Sequence, residues 1–229
     1  MTYAVTFDYS VCVTVKLLTM KKTLTLCLGI ILGLAFSQLA HAQKDAAEAT
    51  KLAREGAQAA KDQDFNKAID LLRKAAGFDR KYAPNLSAAF QQRGFSFAND
   101  QRFEDAINDF NEAIKINPHD ARAYQARAAV EMKINNYDTA ISDYSEAIKV
   151  SPDDIHNYLY RGYIYEVRGD INNSMADTDK ALKIQPKNPE ALARKERLKK
   201  IQQSQNATAQ PPNPVPAPPK NPEPPKKKP

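Results

Sequence analysis

Few residues of this chain have types and spacings that could do chemistry. His41, His119 and His156 are the only histidines. His41 sits in an apolar leader, His119 beside a proline turn and His156 alone, so none has a partner at metal-ligand spacing. No nucleophile elbow or glycine-rich phosphate loop occurs. Cys12 and Cys27 both precede Gln43, so a chain cut there has no thiol for a disulfide, a metal or nucleophilic attack. Asp105, Asp109 and Glu112 read as an ordinary solvated helix face. These observations predict no catalytic residue, no metal, no cofactor and no enzymatic activity.

The elements around these residues explain their scatter. Pro118, Pro152 and Pro186 recur every 34 residues, and such a period is the mark of a stacked array. Before each proline the same pattern returns, as in Phe103-Glu104-Asp105-Ala106-Ile107 and Tyr137-Asp138-Thr139-Ala140-Ile141. Then follow Asn111-Glu112-Ala113-Ile114-Lys115-Ile116, Ser145-Glu146-Ala147-Ile148-Lys149-Val150 and Asp179-Lys180-Ala181-Leu182-Lys183-Ile184. Apolar positions at three- and four-residue steps predict a helix. The residue before each proline is biased out of the helical region and ends it. Asp120 and Asp154 then stand where a cap for the next helix is needed. A divergent earlier unit keeps Phe65, Ala68, Ile69, Leu72, Ala75 and Phe78. It has Arg80 in the proline's place and gains four residues before the next unit.

This pattern resembles the tetratricopeptide repeat family. Units run about 49–86, 87–120, 121–154 and 155–188, with Leu52, Phe90, Tyr124 and Tyr158 at position 4 and Gly56, Gly94, Ala128 and Gly162 at position 8. Ala68, Ala106, Ala140 and Ser174 hold position 20; Leu72, Phe110, Tyr144 and Thr178 hold position 24; Ala75, Ala113, Ala147 and Ala181 hold position 27. Glu131 at position 11, Ser174 and Thr178 depart from the signature, the last two weakening the fourth unit's packing slightly. The resemblance implies an all-α, right-handed α-solenoid of helix-turn-helix pairs. Small residues let paired helices approach, and a larger one would cost about 1–3 kcal/mol. Pro189 to Gln203 reads as a charged, solvating capping helix with Leu192, Leu198 and Ile201.

By the same resemblance, first helices line a concave face at positions 2, 5, 9 and 12, with 6 and 13 at its edges. That implies a partner-binding groove of Gln91, Phe95, Arg122, Gln125, His156, Tyr160, Tyr163 and Glu166, with Asn99, Met132 and Leu159 beside them. Tyr158 and Tyr165 are expected in the core. Tyr160 and Tyr163 exceed what the fold needs; exposed tyrosines suit peptide contacts, and packing against the capping helix is the competing reading. The family's best-known ligand mode grips a C-terminal carboxylate with a Lys/Asn/Arg clamp. Here position 5 holds Ala53, Gln91, Gln125 and Leu159, and position 9 holds Ala57, Phe95, Ala129 and Tyr163, which disfavours chaperone tails.

The ends carry their own signals. From Met20, Lys21 and Lys22 precede the apolar run Leu24–Phe36, and Ala40-His41-Ala42 is a small-x-small site before Gln43. Together they read as a secretory signal peptide over 20–42, with residues 1–19 most simply an upstream extension of a chain starting at Met20. The mature array then spans 43–189, the capping helix 190–205 and a disordered Pro/Lys-rich tail 206–229. The chain's net charge is +6, but the leader, capping helix and tail carry the excess and leave the repeats slightly acidic. That disfavours nucleic acid as a partner. The expected function is a periplasmic or secreted protein-interaction scaffold whose groove takes a protein or peptide segment. An envelope tether is the alternative, its basic tail making weak surface contacts and its repeats serving as a spacer.

Overall fold

The computed structural model describes the backbone of residues 9–209 and the side chains of 36–206. Residues 1–8 and, of the tail expected at 206–229, residues 210–229 lie outside the described residues. Among the described residues the chain is all-α: α1 (Tyr9–Lys61), α2 (Phe65–Phe78), a 3-10 turn (Arg80–Tyr82), α3 (Ala83–Asn99), α4 (Phe103–Ile116), α5 (Ala121–Lys133), α6 (Tyr137–Val150), α7 (Ile155–Val167), α8 (Ile171–Ile184) and α9 (Pro189–Ala209). No described helix is long and apolar enough to cross a membrane. The helices fall into two compact units, Met1–Val130 and Glu131–Pro229.

One turn geometry recurs between paired helices. Gln63, Gln101, Asn135 and Gly169 adopt φ of 62°, 60°, 61° and 76°, each at position 15 of its unit. This left-handed residue lets the next amide return to the ending helix. Arg102 N donates to Phe97 O at 2.8 Å, Asn136 N to Glu131 O at 2.8 Å and Asp170 N to Tyr165 O at 2.8 Å. Side chains then cap α2 and α8: Asp64 accepts from Lys67 N and Asp170 from Asn173 N. At the proline turns Asp120 accepts from Arg122 N and Asp154 from His156 N.

In the first unit, α1 packs on α2, α2 on α3 and α3 on α4. Among the described side chains Ala49 is the first buried one of α1, and the helix runs uninterrupted through Ala42 and Gln43. Phe36 and Leu39, upstream, are exposed. A Cβ on Gly56 would stand 2.8 Å from Leu72, and one on Gly94 would stand 2.8 Å from the Phe110 ring. Those glycines let a large position-24 side chain press against the neighbouring helix, and the fully buried Phe110 contributes about 1.5–3 kcal/mol by leaving water. Ala106, Ala113 and Ala128 are fully buried in this unit. The four added residues, 83–86, extend the start of α3 back to Ala83 behind the 3-10 turn, with Pro84 in its first turn.

In the second unit, α6 packs on α7, α7 on α8, and α9 on both α7 and α8. Ala140, Ala147 and Ala181 are fully buried, with Tyr144, Ile164 and Leu198 at most 2% exposed. Pro118, Pro152 and Pro186 sit exposed in the turns.

The fourth repeat packs differently from the expectation. Ser174 Oγ donates to Gly162 O at 2.8 Å and Thr178 Oγ1 to Ser174 O at 2.7 Å. Both side chains bond to helix carbonyls, so neither is an unsatisfied polar group. Thr178 fills less space than an aromatic, and Arg194 of α9 occupies the room over Gly162, its Nη1 3.2 Å from where a Cβ would stand. Arg194 is 1% exposed. It donates to Leu159 O at 2.7 Å and Glu190 at 2.8 Å, with Glu166 3.3 Å away. The capping helix is therefore not merely solvating: it buries Arg194 together with Ala191 and Leu198, while Leu192 is exposed. It also extends to Ala209, beyond the expected 205, because the first proline after Pro189 is Pro211 and nothing before it breaks the helix.

Of the three carboxylates expected on a solvated helix face, Asp109 instead belongs to a polar lattice spaced by the repeat, while Asp105 is half-buried and Glu112 exposed. Asp109 is 4% exposed and receives a bidentate pair from Arg93 at 2.8 and 2.7 Å. Arg161 holds Asp177 in the same way at 2.9 and 2.7 Å. These hydrogen bonds raise the pKa of both guanidinium groups above the ordinary arginine range. The position-7 cation also reaches the preceding repeat: Arg127 to Asn111 at 2.5 Å, Arg161 to Ser145 at 2.8 Å and Lys195 to Asp179 at 2.7 Å. Glu131, the other departure, is buried and accepts from Asn136 Nδ2 at 2.8 Å.

Candidate functional site

In the first unit, α3 and α5 present their position-5 and position-9 residues to one concavity of about 430 Å³. It is lined by Ala88, Gln91, Gln92, Phe95, Arg122, Gln125, Ala126 and Ala129. Gln91, Phe95, Arg122 and Gln125 are thus brought together. A second concavity of about 420 Å³ shares Gln92 and Phe95 and extends to Gln63, Phe65 and Asn99. The small side chains of Ala88, Ala126 and Ala129 leave an apolar floor. Phe95 rises from it 49% exposed, held edge-on by Phe110 with ring centroids 5.2 Å apart. Gln92, Gln125 and Arg122 supply a polar rim.

Gln91 departs from the expected contact role. It is 7% exposed, and its Nε2 donates to Asp120 Oδ2 at 2.9 Å. A long amide at position 5 reaches the capping aspartate of the next repeat and becomes part of the wall. Gln92, one position on, faces both concavities; the sequence signal for it was its place at the groove's edge.

In the second unit, α7 carries His156, Tyr160 and Tyr163 exposed on one face, at steps of four and three residues. Tyr160 stacks on the buried Tyr144 with centroids 5.6 Å apart, and His156 stacks on Tyr160 at 6.4 Å. Burial and the neighbouring Tyr160 push the Tyr144 phenol well above its ordinary range. Val167 continues the face at 47% exposure. Glu166 does not join it: its carboxylate accepts from Arg197 at 3.1 Å and neighbours Arg194, so it anchors α9. Leu159 is buried, as is Tyr158, while Met132 and Tyr165 are half-buried. The α7 tyrosines do not pack against the capping helix strongly enough to be covered: Tyr160 and Tyr163 remain 49% and 45% exposed. Among the described residues no group of histidine, cysteine and carboxylate side chains could hold a metal ion.

Neither face offers a nucleophile with a base. Both offer apolar area edged by amides, hydroxyls or a guanidinium, which is contact chemistry for a polypeptide.

The chain is similar to known proteins in a consistent way. The tetratricopeptide repeat family model matches residues 93–155 and 126–189. A stretch of 48 residues is 44% identical to Hsp70-Hsp90 organizing protein 2 of Arabidopsis thaliana, covering 21% of this chain and only 8% of that relative's length. The crystal structure of MamA protein is 19% identical, with a TM-score of 0.53 over 70% of this chain and 85% of that one. A tetratricopeptide repeat protein from Parabacteroides merdae ATCC 43184 is 17% identical, with a TM-score of 0.54 over 70% of this chain and 62% of that one. The two solved structures share the helical-repeat fold, and residues 93–189 of this chain carry tetratricopeptide repeats, the family whose model they match.

Proposed function

We propose that this chain is an exported, non-catalytic adaptor that holds an extended segment of a partner protein in the groove of its first unit. The observation that carries the reading is the pair of concavities meeting at Phe95, with an alanine floor and a rim of Gln92, Gln125 and Arg122. An extended peptide alternates side chains to either side, so one can settle on Phe95 while backbone amides meet the glutamine rim. Position 5 and position 9 hold no clamp for a terminal carboxylate, which favours an internal segment over a chaperone tail. Export rests on the leader sequence, whose described large apolar residues Phe36 and Leu39 are exposed.

The test is affinity capture from envelope extracts with wild-type protein, the Phe95→Ala/Gln125→Ala variant and protein ending at Ala209. Capture of a distinct partner by the wild type and the truncated chain, lost with the double alanine, is expected. Loss on truncation alone would instead favour the tail as the tether. Amino-terminal sequencing of the fractionated protein tests export, with Gln43 as the expected first residue.

A further inference from the structure

We propose that Gln43, once the leader is cut after Ala42, closes on its own side chain to a pyroglutamyl end, so that the mature array begins in a lactam rather than in a free amine. The proposal rests on the export reading and adds a covalent modification to it.

The residue type supplies the chemistry. Within a chain the Gln43 nitrogen is a peptide nitrogen and does not attack carbonyl groups. A cut after Ala42 turns it into a primary amine, a fraction of which is unprotonated near neutral pH. The electrophile is the side-chain carboxamide carbon, Cδ, of the same residue, and the nitrogen, Cα, Cβ, Cγ and Cδ make up a five-membered ring. Attack forms the bond between the nitrogen and Cδ and breaks the bond from Cδ to the carboxamide nitrogen. That nitrogen leaves as ammonia, carrying off the proton that the amine gives up. No oxidant, reductant or second substrate enters, and both reacting groups are held on one residue, which favours the step over its bimolecular equivalent.

The fold leaves this residue free to react. Gln43 lies in α1 and is exposed, as are Lys44 and residues 46–48, with Asp45 half-buried. Among the described side chains Ala49 is the first buried one of α1. Beside it Thr50 Oγ1 accepts from the Tyr82 hydroxyl at 3.0 Å, tying α1 to the 3-10 turn. Gln43 stands more than one helical turn ahead of both ties. Helix ends of this kind fray at almost no cost, so the side chain is free to rotate until Cδ meets the amine. The electrostatics point the same way. A new helix start at Gln43 carries the positive end of the helix dipole, which Asp45 in its first turn suits and a terminal ammonium does not. Lactam formation removes that ammonium. It also removes the free amine by which an aminopeptidase would grip the unpacked residues 43–48.

The experiment is mass spectrometry of the amino-terminal fragment ending at Glu48, taken from the exported protein after digestion at glutamate. A synthetic peptide of residues 43–48 carried through the same digestion sets the level of ring closure reached in handling. The fragment is expected to begin at Gln43 and to be lighter by one ammonia in most molecules, well above that level. A fragment beginning at Gln43 with its full mass, or closed no more than the peptide, would overturn the proposal and leave export standing. A different first residue would overturn the cut after Ala42 and the proposal with it. A second measurement treats folded protein with an aminopeptidase. Wild type should resist, whereas Gln43→Glu, whose carboxylate is a far poorer electrophile, should be trimmed until the enzyme meets the packed chain near Ala49. Equal trimming of the two proteins would overturn the proposal.

Discussion

Arg194 Nη1 donates to the carbonyl oxygen of Leu159 at 2.7 Å, from a guanidinium that water barely touches. The arginine stands over Gly162 as the position-24 side chains Leu72 and Phe110 stand over Gly56 and Gly94, and Thr178 is what makes room for it. Arg194→Ala should destabilise the second unit by about 2–5 kcal/mol, through a cavity and a weakened anchor for Glu166. Thr178→Phe alone should cost about 1–3 kcal/mol by overpacking against the arginine. The double variant should recover part of the loss, with a coupling of about 0.5–3 kcal/mol in a denaturant double-mutant cycle. Strict additivity would show that the two residues do not share one space.

The Arg161–Asp177 pair makes a similar demand on charge. Asp177 keeps only 6% of its side-chain area exposed, so Arg161→Leu should cost about 3–5 kcal/mol by leaving that carboxylate buried without its fork. Replacing both residues by leucine should be much milder than Arg161→Leu alone. Arg161→Lys should fall between them, since one ammonium cannot reproduce two parallel hydrogen bonds. Urea unfolding of the three variants decides the order.

Three of the four left-handed turn residues are not glycine. Gln101 adopts φ of 60° and Gly169 φ of 76°. A side chain in this region costs about 1–2 kcal/mol, offset in part by glycine's greater freedom in the unfolded chain. Gln101→Gly is therefore expected to raise stability by up to about 1 kcal/mol, and Gly169→Ala to lower it by a similar amount. Thermal melts of both variants check the opposite signs.

Much of this was legible in the sequence, and the remainder failed for identifiable reasons. The period showed in the prolines and in Ala106, Ala140 and their counterparts, because close helix contact tolerates little but small residues. Gln91 and Phe95 were both placed on the concave side, but helical spacing cannot tell a long amide folded back onto Asp120 from one facing solvent. Asp109 read as surface because one carboxylate looks like another; the same 34-residue recurrence in Arg93, Arg127 and Arg161, set against Asp109, Asp143 and Asp177, was the missed clue. Arg194 was illegible for a deeper reason. Its burial depends on Thr178 being small one repeat earlier, a relation between positions rather than a property of either.

Tyr144 ties stability to alkaline pH. Burial, then Tyr160, raises its phenol above the ordinary 10.0, so the folded state favours the neutral form. The stability this contributes is fully present below pH 10 and is lost as pH rises toward the folded value, because the unfolded chain ionises first. The melting temperature of the wild type should fall more steeply above pH 10 than that of Tyr144→Phe, with the two profiles parallel at neutral pH. Parallel profiles throughout would remove the buried phenol from the account.

The central claim is that the first unit's groove holds a partner segment. A photo-crosslinking benzophenone side chain placed at Phe95, and separately at Phe78, tests it in living cells. Phe78 is also half exposed, at 50%, but lines none of the groove. Crosslinking from position 95 to one discrete partner, competed by a peptide spanning the crosslinked segment and absent from position 78, is the expected result. Crosslinks of equal yield and identity from both positions, or none from position 95, would contradict the account.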